Sequence, residues 1–83
     1  MVNYVRVYSK ENCMQCKMLK RWLEDKGINF TECDITHNEE ELKHLRLLGY
    51  QSLPVTYIDN GRFNGYVKGF DVKKLNDVLL GGK

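Results

Sequence analysis

The segment that decides the fold is residues 3–16, whose sequence is NYVRVYSKENCMQC. Residues 3–9 are rich in valine and tyrosine, which favours a β-strand. Apolar or aromatic residues stand at both odd and even positions, as expected of a strand that is covered on both faces. Residues 10–12 interrupt the pattern, and a helical period begins at Cys13. The segment therefore predicts a strand that leads into a helix with a Cys-x-x-Cys motif in its first turn.

Apolar residues recur every three or four positions after this motif, which predicts an amphipathic helix. The predicted buried face consists of Met14, Met18, Leu19, Trp22 and Leu23. Charged residues occupy the opposite face. Gly27 stands where the residue after a helix C-cap belongs, so the helix is predicted to end just before it.

A second strand and a second helix are predicted next. Residues 28–35 contain four apolar residues and favour a strand. Thr36 followed by Glu39 is the pattern of a capping box, and the leucines that follow predict a helix that ends at Gly49. Because a helix joins the first two strands, we expect them to be parallel, with a right-handed connection.

The last third of the chain predicts a hairpin and a helix. Residues 53–58 favour a strand that is led in by Pro54, the single proline of the chain. Asp59-Asn60-Gly61 predicts a tight turn into a strand over residues 62–67. Asp71 is a candidate cap for a final helix. The order β-α-β-α-β-β-α predicts an α/β fold, with three helices over a mixed four-stranded sheet.

Length and composition exclude several classes of protein. A chain of 83 residues, 42% hydrophobic and 29% charged, predicts one small globular domain over residues 1–83. No apolar run approaches the roughly 18 residues that span a bilayer, and the N-terminus does not resemble a signal peptide. The formal net charge of +2 is too small to indicate a nucleic-acid binder. We therefore expect a cytoplasmic monomer that binds neither membrane nor nucleic acid.

The placement of Cys13 and Cys16 has a chemical consequence. At the start of a helix, unpaired backbone N–H groups and the positive end of the dipole favour a thiolate. Lys10 and Lys17 are candidates to stabilise it further. Cys16 lies one turn later on the same side, close enough to form a disulfide. Cys13 is therefore the predicted nucleophile and Cys16 the resolving thiol, in a chemistry that needs no cofactor beyond this disulfide.

A zinc site is the alternative explanation of the cysteines. Cys13, Cys16, Cys33 and His37 have a spacing compatible with four zinc ligands, which would make the chain a non-catalytic zinc module. Small zinc modules usually replace a hydrophobic core, whereas this chain has strand and helix patterns throughout. Cys33 stands in an apolar strand, where a lone cysteine commonly behaves as a small buried hydrophobe. The dithiol interpretation is therefore favoured.

The proline supplies a second clue. A β-α-β unit with Cys-x-x-Cys, followed about 40 residues later by a proline that opens a strand, resembles the thioredoxin superfamily. In that superfamily the proline is cis and its loop lies against the dithiol. The resemblance implies that Leu53, the residue before it, pairs through its backbone with an incoming peptide or glutathione.

Within the superfamily the chain is similar to the glutaredoxins in length and element order. The motif Cys13-Met14-Gln15-Cys16 looks like the Cys-Val/Met-Gln-Cys of NrdH-redoxins, which are glutaredoxin-like proteins. The segments YSK at 8–10, KMLKR at 17–21 and QSLPV at 51–55 also resemble that family. The resemblance implies an electron carrier that thioredoxin reductase reduces and that delivers electrons to class Ib ribonucleotide reductase.

The late segment Lys68-Gly69-Phe70-Asp71 bears on the choice of reductant. Glutaredoxins typically carry Gly-Gly-x-Asp, which holds the glutamyl end of glutathione, and NrdH-redoxins carry Trp-Ser/Thr-Gly-Phe. This chain keeps Gly69-Phe70 but lacks the tryptophan. A glutathione-dependent glutaredoxin therefore remains the second hypothesis. We expect partner or substrate contacts at Lys10, Met14, Gln15, Leu53, Pro54, Gly69, Phe70 and Asp71.

Overall fold

Four strands and three helices follow one another in the computed structural model of the chain, which describes residues 3–81. They are β1 (Tyr4–Ser9), α1 (Met14–Asp25), β2 (Thr31–Asp34), α2 (Glu39–Leu47), β3 (Val55–Asp59), β4 (Asn64–Lys68) and α3 (Val72–Leu80). This order confirms the predicted β-α-β-α-β-β-α arrangement. No helix among the described residues is long and apolar enough to cross a bilayer.

The strands form one mixed sheet in the order β2-β1-β3-β4. Strand β1 is parallel to β2, and Arg6 faces Thr31 in that pair. The other two pairs are antiparallel, with Arg6 opposite Tyr57 and Tyr57 opposite Tyr66. The first strand of the chain, β1, therefore lies in the interior of the sheet, and its carboxyl end leads directly to the cysteine motif.

The helices cover both faces of this sheet. On one face, α1 and α3 enclose a buried cluster formed by Val5, Val7, Leu19, Leu23, Ile58, Val67, Leu75 and Leu79. On the other face, α2 contributes Leu45 to a second cluster with Tyr8, Ile35 and Val55. Because β1 supplies residues to both clusters, its apolar residues at odd and even positions are explained.

The predicted buried face of α1 is partly wrong. Helix α1 buries Cys16, Leu19 and Leu23, whereas Met14 is 69% exposed and Met18 is 47% exposed. Cys16, Leu19 and Leu23 are spaced by three and then four residues, so they also share one face of a helix. This face is rotated away from the one that carries Met14 and Met18. The cysteine pair has to face the sheet and the proline loop, so the methionines are turned outward.

The second strand is shorter than predicted, and the cap of α2 lies elsewhere. Strand β2 spans Thr31–Asp34 rather than residues 28–35. Asn38 caps α2, because its side-chain oxygen accepts a 3.1 Å hydrogen bond from the N–H of Glu41. The Thr36 oxygen does not cap α2 but accepts a 2.9 Å hydrogen bond from the N–H of Glu11, while its hydroxyl donates to the Asp34 carboxylate at 2.6 Å.

The hairpin between β3 and β4 has a longer loop than the sequence predicts. Asp59 pairs with Asn64, which leaves residues 60–63 as the loop. The Asn60 side-chain oxygen accepts from the N–H groups of Arg62 and Phe63 at 3.1 and 2.9 Å, and its amide donates to the Val78 carbonyl at 2.9 Å. The buried Asn60 side chain therefore stabilises the loop and connects it to α3 by hydrogen bonds. Turn rules based on the local sequence do not predict the bond to α3.

Candidate functional site

The junction between β1 and α1 holds the cysteine pair. Cys13 is the N-cap of α1 with an extended backbone (φ −113°, ψ 104°), and Asn12 before it has φ 56°, a conformation that asparagine tolerates. The Cys13 sulfur accepts a 3.2 Å hydrogen bond from the N–H of Cys16. The two cysteines form a disulfide with their Cα atoms 5.2 Å apart. The predicted strand-to-helix placement of the motif is thus confirmed.

The two sulfur-bearing residues differ in their access to solvent. Cys13 is 8% exposed and Cys16 is 1% exposed, so an incoming group meets Cys13 first. No acidic residue lies in the first turn of α1, and Met14 and Gln15 are exposed and uncharged. The positive end of the helix dipole therefore acts on the Cys13 sulfur with no carboxylate in the first turn of α1 to offset it.

The proline loop and the segment before α3 meet the cysteine pair. The Leu53–Pro54 peptide bond is cis, as the resemblance implied. The Leu53 carbonyl oxygen lies 3.9 Å from the Cys13 sulfur. The Pro54 carbonyl accepts a 2.8 Å hydrogen bond from the N–H of Gly69, whose φ of 72° favours glycine. Three segments distant in sequence, at residues 13, 53–54 and 69, therefore form one site.

An apolar groove flanks the site on the side of α1. Its volume is about 390 Å³, and it is lined by the apolar side chains of Met18, Trp22 and Phe70 together with charged residues of α1. Phe70 and Trp22 are half-buried and also pack against the larger core cluster. Trp22, predicted to be a core residue, therefore has one side in the core and one side in this groove.

A second groove lies on the other side of the proline loop. It encloses about 260 Å³ and is lined by Lys10, Glu11, Ile35, Thr36, Leu42, Arg46, Gln51, Ser52 and Leu53. The structure thereby places predicted residues Lys10 and Leu53 together. Sequence reasoning missed Arg46 and Leu42, because only the crossover from β2 through α2 brings them beside Lys10.

Asp71, Met14 and Gln15 were also predicted to contact a partner or substrate, and the structure shows what each side chain does. The Asp71 carboxylate caps α3, accepting a 3.0 Å hydrogen bond from the N–H of Lys74. This confirms Asp71 as the cap of the last helix. Its side chain is committed to the fold through this bond, whereas Met14 and Gln15 remain exposed beside the disulfide.

The zinc alternative has no geometric basis in the described part of the chain. Within residues 3–81, no group of three or more histidine, cysteine, aspartate or glutamate side chains is arranged to hold a metal ion. Cys33 is a free, half-buried cysteine on β2, directly opposite Tyr8 of β1. Cys33 packs against the α2 cluster, in general agreement with its predicted role as a small hydrophobe.

A hydrogen-bonded carboxylate supports α1 near the site. Glu32 accepts from the Lys20 ammonium at 2.6 Å and from the Ser9 hydroxyl at 2.7 Å. These two hydrogen bonds, of which the one from Lys20 has the larger effect, hold the pKa of Glu32 below its ordinary value. Partial burial raises the pKa but does not outweigh them. The charged form of Glu32 is therefore the one that binds α1 and the end of β1 to the edge strand.

This network predicts a pH-dependent contribution to stability. Because the pKa of Glu32 is lower in the folded chain, the contribution is present above the unfolded value of about 4.3 and is lost as the pH falls through the folded pKa. We expect Glu32→Gln to be less stable than the wild type at pH 7, with the difference shrinking below about pH 4. Urea denaturation between pH 3 and 7 measures this, with Glu24→Gln on the exposed face of α1 as the control. A pH-independent loss would contradict it.

Comparison with known proteins identifies the family. Residues 5–63 match the family model for glutaredoxins. The chain belongs to the glutaredoxin family. It is 42% identical over 62 residues to the glutaredoxin-like protein NrdH of Lactococcus lactis subsp. cremoris, covering 75% of this chain and 86% of that protein. The corresponding NrdH protein of Escherichia coli K12 is 27% identical, over 75% of this chain and 76% of that protein.

Solved structures give the same result for the fold. The NrdH-redoxin from Escherichia coli superposes on this glutaredoxin-family protein with a TM-score of 0.77 and 27% identity, over 90% of this chain and 93% of that one. Glutaredoxin 1 from Francisella tularensis gives a TM-score of 0.74 at 22% identity, over 99% of this chain and 100% of that one. The sheet and helices therefore form a thioredoxin-like fold, and the cysteine pair is that of an NrdH-like redoxin.

Proposed function

We propose that this redoxin passes electrons from thioredoxin reductase to protein disulfides, and that class Ib ribonucleotide reductase is its acceptor. The observation that carries the proposal is the Cys13–Cys16 disulfide, with one sulfur near the surface and the Leu53 carbonyl 3.9 Å away. The Cys-Met-Gln-Cys motif supports the choice of partners. The Escherichia coli NrdH-redoxin, which is similar in structure, has a thioredoxin-like activity profile.

The reaction begins at Cys13 in the reduced protein. The N–H of Cys16 and the start of α1 stabilise the Cys13 thiolate, which attacks one sulfur of the substrate disulfide. A Cys13–substrate disulfide forms, and the second substrate sulfur leaves as a thiolate. Cys16 then attacks the Cys13 sulfur, which closes the Cys13–Cys16 disulfide and releases the first substrate sulfur. Two electrons pass to the substrate, and the reductase restores the dithiol.

The proline loop gives the substrate a place beside Cys13. Leu53 is half-buried, and its carbonyl points toward the Cys13 sulfur. An extended substrate chain that lies along this loop can pair with the Leu53 backbone as an added strand does. Such pairing recognises the backbone of the substrate, so it suits partners whose side chains differ.

The segment before α3 favours thioredoxin reductase over glutathione. In glutaredoxins, Gly-Gly-x-Asp holds the glutamyl end of glutathione. Here the N–H of Gly69 donates to the Pro54 carbonyl, and the Asp71 carboxylate caps α3. Lys68 stands in the place of the first glycine, and Phe70, which follows the retained Gly69, packs against the core. Glutathione would therefore have to compete with hydrogen bonds and packing that the fold already uses.

The second groove favours glutathione as an alternative reductant. Lys10 and Arg46 place two cations, and Glu11 one carboxylate, around a groove that also contains Leu53, so the lining is positively charged on balance. A volume of about 260 Å³ and this charge suit part of a small anionic peptide. This observation keeps a glutathione-dependent glutaredoxin as the second candidate function.

Parallel reduction assays distinguish the two candidates. The oxidised protein is mixed with NADPH and either thioredoxin reductase or glutathione plus glutathione reductase, with a protein disulfide as the final acceptor. We expect turnover with thioredoxin reductase to exceed turnover with glutathione by at least about tenfold, a difference of about 1.4 kcal/mol in activation free energy. Absence of turnover with thioredoxin reductase would contradict the proposal. A faster glutathione reaction that Lys10→Gln slows would favour the second candidate.

The acceptor requires a separate assay. The reduced protein is supplied, with thioredoxin reductase and NADPH, to a class Ib ribonucleotide reductase, and deoxyribonucleotide formation is followed. We expect multiple turnovers that depend on the redoxin, and none with Cys13→Ser. Reduction of a general protein disulfide without any ribonucleotide turnover would refute this acceptor while leaving the redox activity intact.

A further inference from the structure

The segment that joins β1 to α1, residues 10–12, determines where Cys13 stands. All three of its residues are exposed, so burial in the core does not hold the segment in place. Cys13 follows directly as the N-cap of α1, and its sulfur accepts a hydrogen bond from the N–H of Cys16. The position of this sulfur depends on the path of the segment before it. A contact that fixes the segment therefore positions the nucleophile.

Strands β1 and β2 stay paired up to the start of this segment. Ser9 faces Asp34 in the parallel ladder, and the N–H of Ile35 donates to the Ser9 carbonyl at 2.8 Å. In a regular parallel ladder, the Ile35 carbonyl would then accept from the N–H of Glu11. Here the Ile35 carbonyl accepts from the N–H of Asn38 at 3.1 Å, at the turn that leads into α2. The N–H of Glu11 pairs elsewhere.

The Thr36 side chain supplies the acceptor for this N–H. Its hydroxyl oxygen accepts a 2.9 Å hydrogen bond from the N–H of Glu11. The hydroxyl hydrogen is donated to the Asp34 carboxylate at 2.6 Å, and the N–H of Thr36 donates to the same carboxylate at 2.9 Å. Because the hydroxyl has a single hydrogen and Asp34 takes it, the oxygen is left to accept from Glu11. Two bonds to Asp34 therefore fix the orientation of the acceptor.

The charge of Asp34 strengthens this arrangement. The hydrogen bonds from the Thr36 hydroxyl and N–H hold the pKa of the Asp34 carboxyl below its ordinary value, so the group is ionised at neutral pH. A hydroxyl that donates to an anion is a better acceptor, because hydrogen bonds in a chain polarise one another. Lys10 lies between the bonds at Ser9 and Glu11, so the backbone on both sides of it is attached to the end of β2.

We propose that Thr36 is a positioning residue for the nucleophile: its hydroxyl holds residues 10–12 against the end of β2 and thereby fixes the Cys13 sulfur beside the Cys16 N–H. The proposal rests on the proposed Cys13–Cys16 reaction but not on the identity of the reductase or acceptor. In the step concerned, the Cys13 thiolate bonds to one sulfur of a disulfide, and the other sulfur leaves with the electron pair of the broken S–S bond. Thr36 acts through the backbone of Glu11 and exchanges no proton or electron in this step.

The test measures attack by Cys13 in Thr36→Val and Thr36→Ser. Both changes are made in a Cys33→Ser parent, so that Cys13 and Cys16 supply the only thiols. The reduced protein is mixed with a coloured aromatic disulfide, and the first equivalent of released coloured thiol reports the rate of attack. We expect Thr36→Val to slow the attack about tenfold, within the range that small misplacements of a reacting group cause. Thr36→Ser is expected to stay within about twofold of the parent, because serine keeps the hydroxyl.

Hydrogen exchange at the Glu11 amide, followed by NMR, reads out the bond itself. We expect Thr36→Val to speed this exchange about tenfold or more, because the N–H loses its acceptor, and Thr36→Ser to keep the protection. Thr31→Val is the matched control, since Thr31 is an exposed threonine on β2, the strand that leads to Thr36. It is expected to change neither the attack rate nor the exchange at Glu11.

Three outcomes would overturn the proposal. The first is an attack rate in Thr36→Val within about twofold of the parent, roughly the precision of such measurements. The second is an equal loss in Thr36→Ser. The third is an equal loss in Thr31→Val, which would assign the effect to the edge strand. In each of these cases the proposed electron transfer through the cysteine pair would still stand. Absence of any thiol release from the parent would instead refute the Cys13 reaction, on which both proposals rest.

Discussion

Cys16→Ser is expected to leave the protein covalently attached to its substrate through Cys13. Without Cys16, an external thiol has to resolve the mixed disulfide. Well-oriented intramolecular groups reach effective molarities of about 10⁵–10⁸ M, so an external thiol at millimolar concentration is a poor substitute. We expect steady-state disulfide reduction to fall by at least about a thousandfold. Non-reducing electrophoresis and mass spectrometry of the one-to-one complex measure the trapped species.

Matched variants make this assignment of roles testable. Cys13→Ser is expected to form no mixed disulfide and to reduce no protein disulfide, because Cys16, the other thiol of the pair, is 1% exposed. Cys33→Ser is expected to keep the full reaction, since Cys33 lies on β2 and is free. Full dithiol activity in Cys16→Ser, or trapping through Cys16 in Cys13→Ser, would show that the roles are assigned wrongly.

The second large effect is expected at Leu19. Its side chain is fully buried in the cluster between α1 and the sheet. Leu→Ala substitutions at such positions cost about 2–5 kcal/mol, a large share of the roughly 5–15 kcal/mol that stabilises a typical domain. We expect Leu19→Ala to lower the free energy of unfolding by an amount in this range, measured by urea denaturation of the oxidised protein.

Met18→Ala is the control for Leu19, because the two residues are adjacent on α1. Met18 is 47% exposed and borders the apolar groove. Its replacement is expected to change the free energy of unfolding by about 0.5 kcal/mol or less. Equal losses in the free energy of unfolding at the two positions, or a greater loss at Met18, would mean that α1 buries the face that carries Met14 and Met18 instead.

The order of elements was predictable because each element has a local signature. The valine- and tyrosine-rich run of β1, the helical period after Cys13 and the cap at Asp71 act over a few residues, and the structure contains all three elements. The hairpin loop was not predictable in the same way. Asn60 shapes it while bonding to Val78, which is 18 residues away along the chain, and no local rule includes that partner.

Some features of the candidate site could likewise be predicted from the local sequence, and others could not. The cysteine pair and the proline were found from their spacing, which the family shares. The groove at Lys10 depends on Arg46 reaching it through α2, and the hydrogen bond from Glu11 to Thr36 depends on strand register. Neither residue type nor spacing signals these features, because they arise only when separate elements pack together.

Thiol mapping tests the central claim, that Cys13 and Cys16 form the working redox couple, most directly. The protein is oxidised, or reduced by NADPH and thioredoxin reductase, then alkylated and analysed by peptide mass spectrometry. We expect reduction to expose two additional thiols, at Cys13 and Cys16, while Cys33 is alkylated in the unfolded protein from both samples. A disulfide that includes Cys33, or a Cys13–Cys16 pair that stays unchanged by reduction, would contradict it.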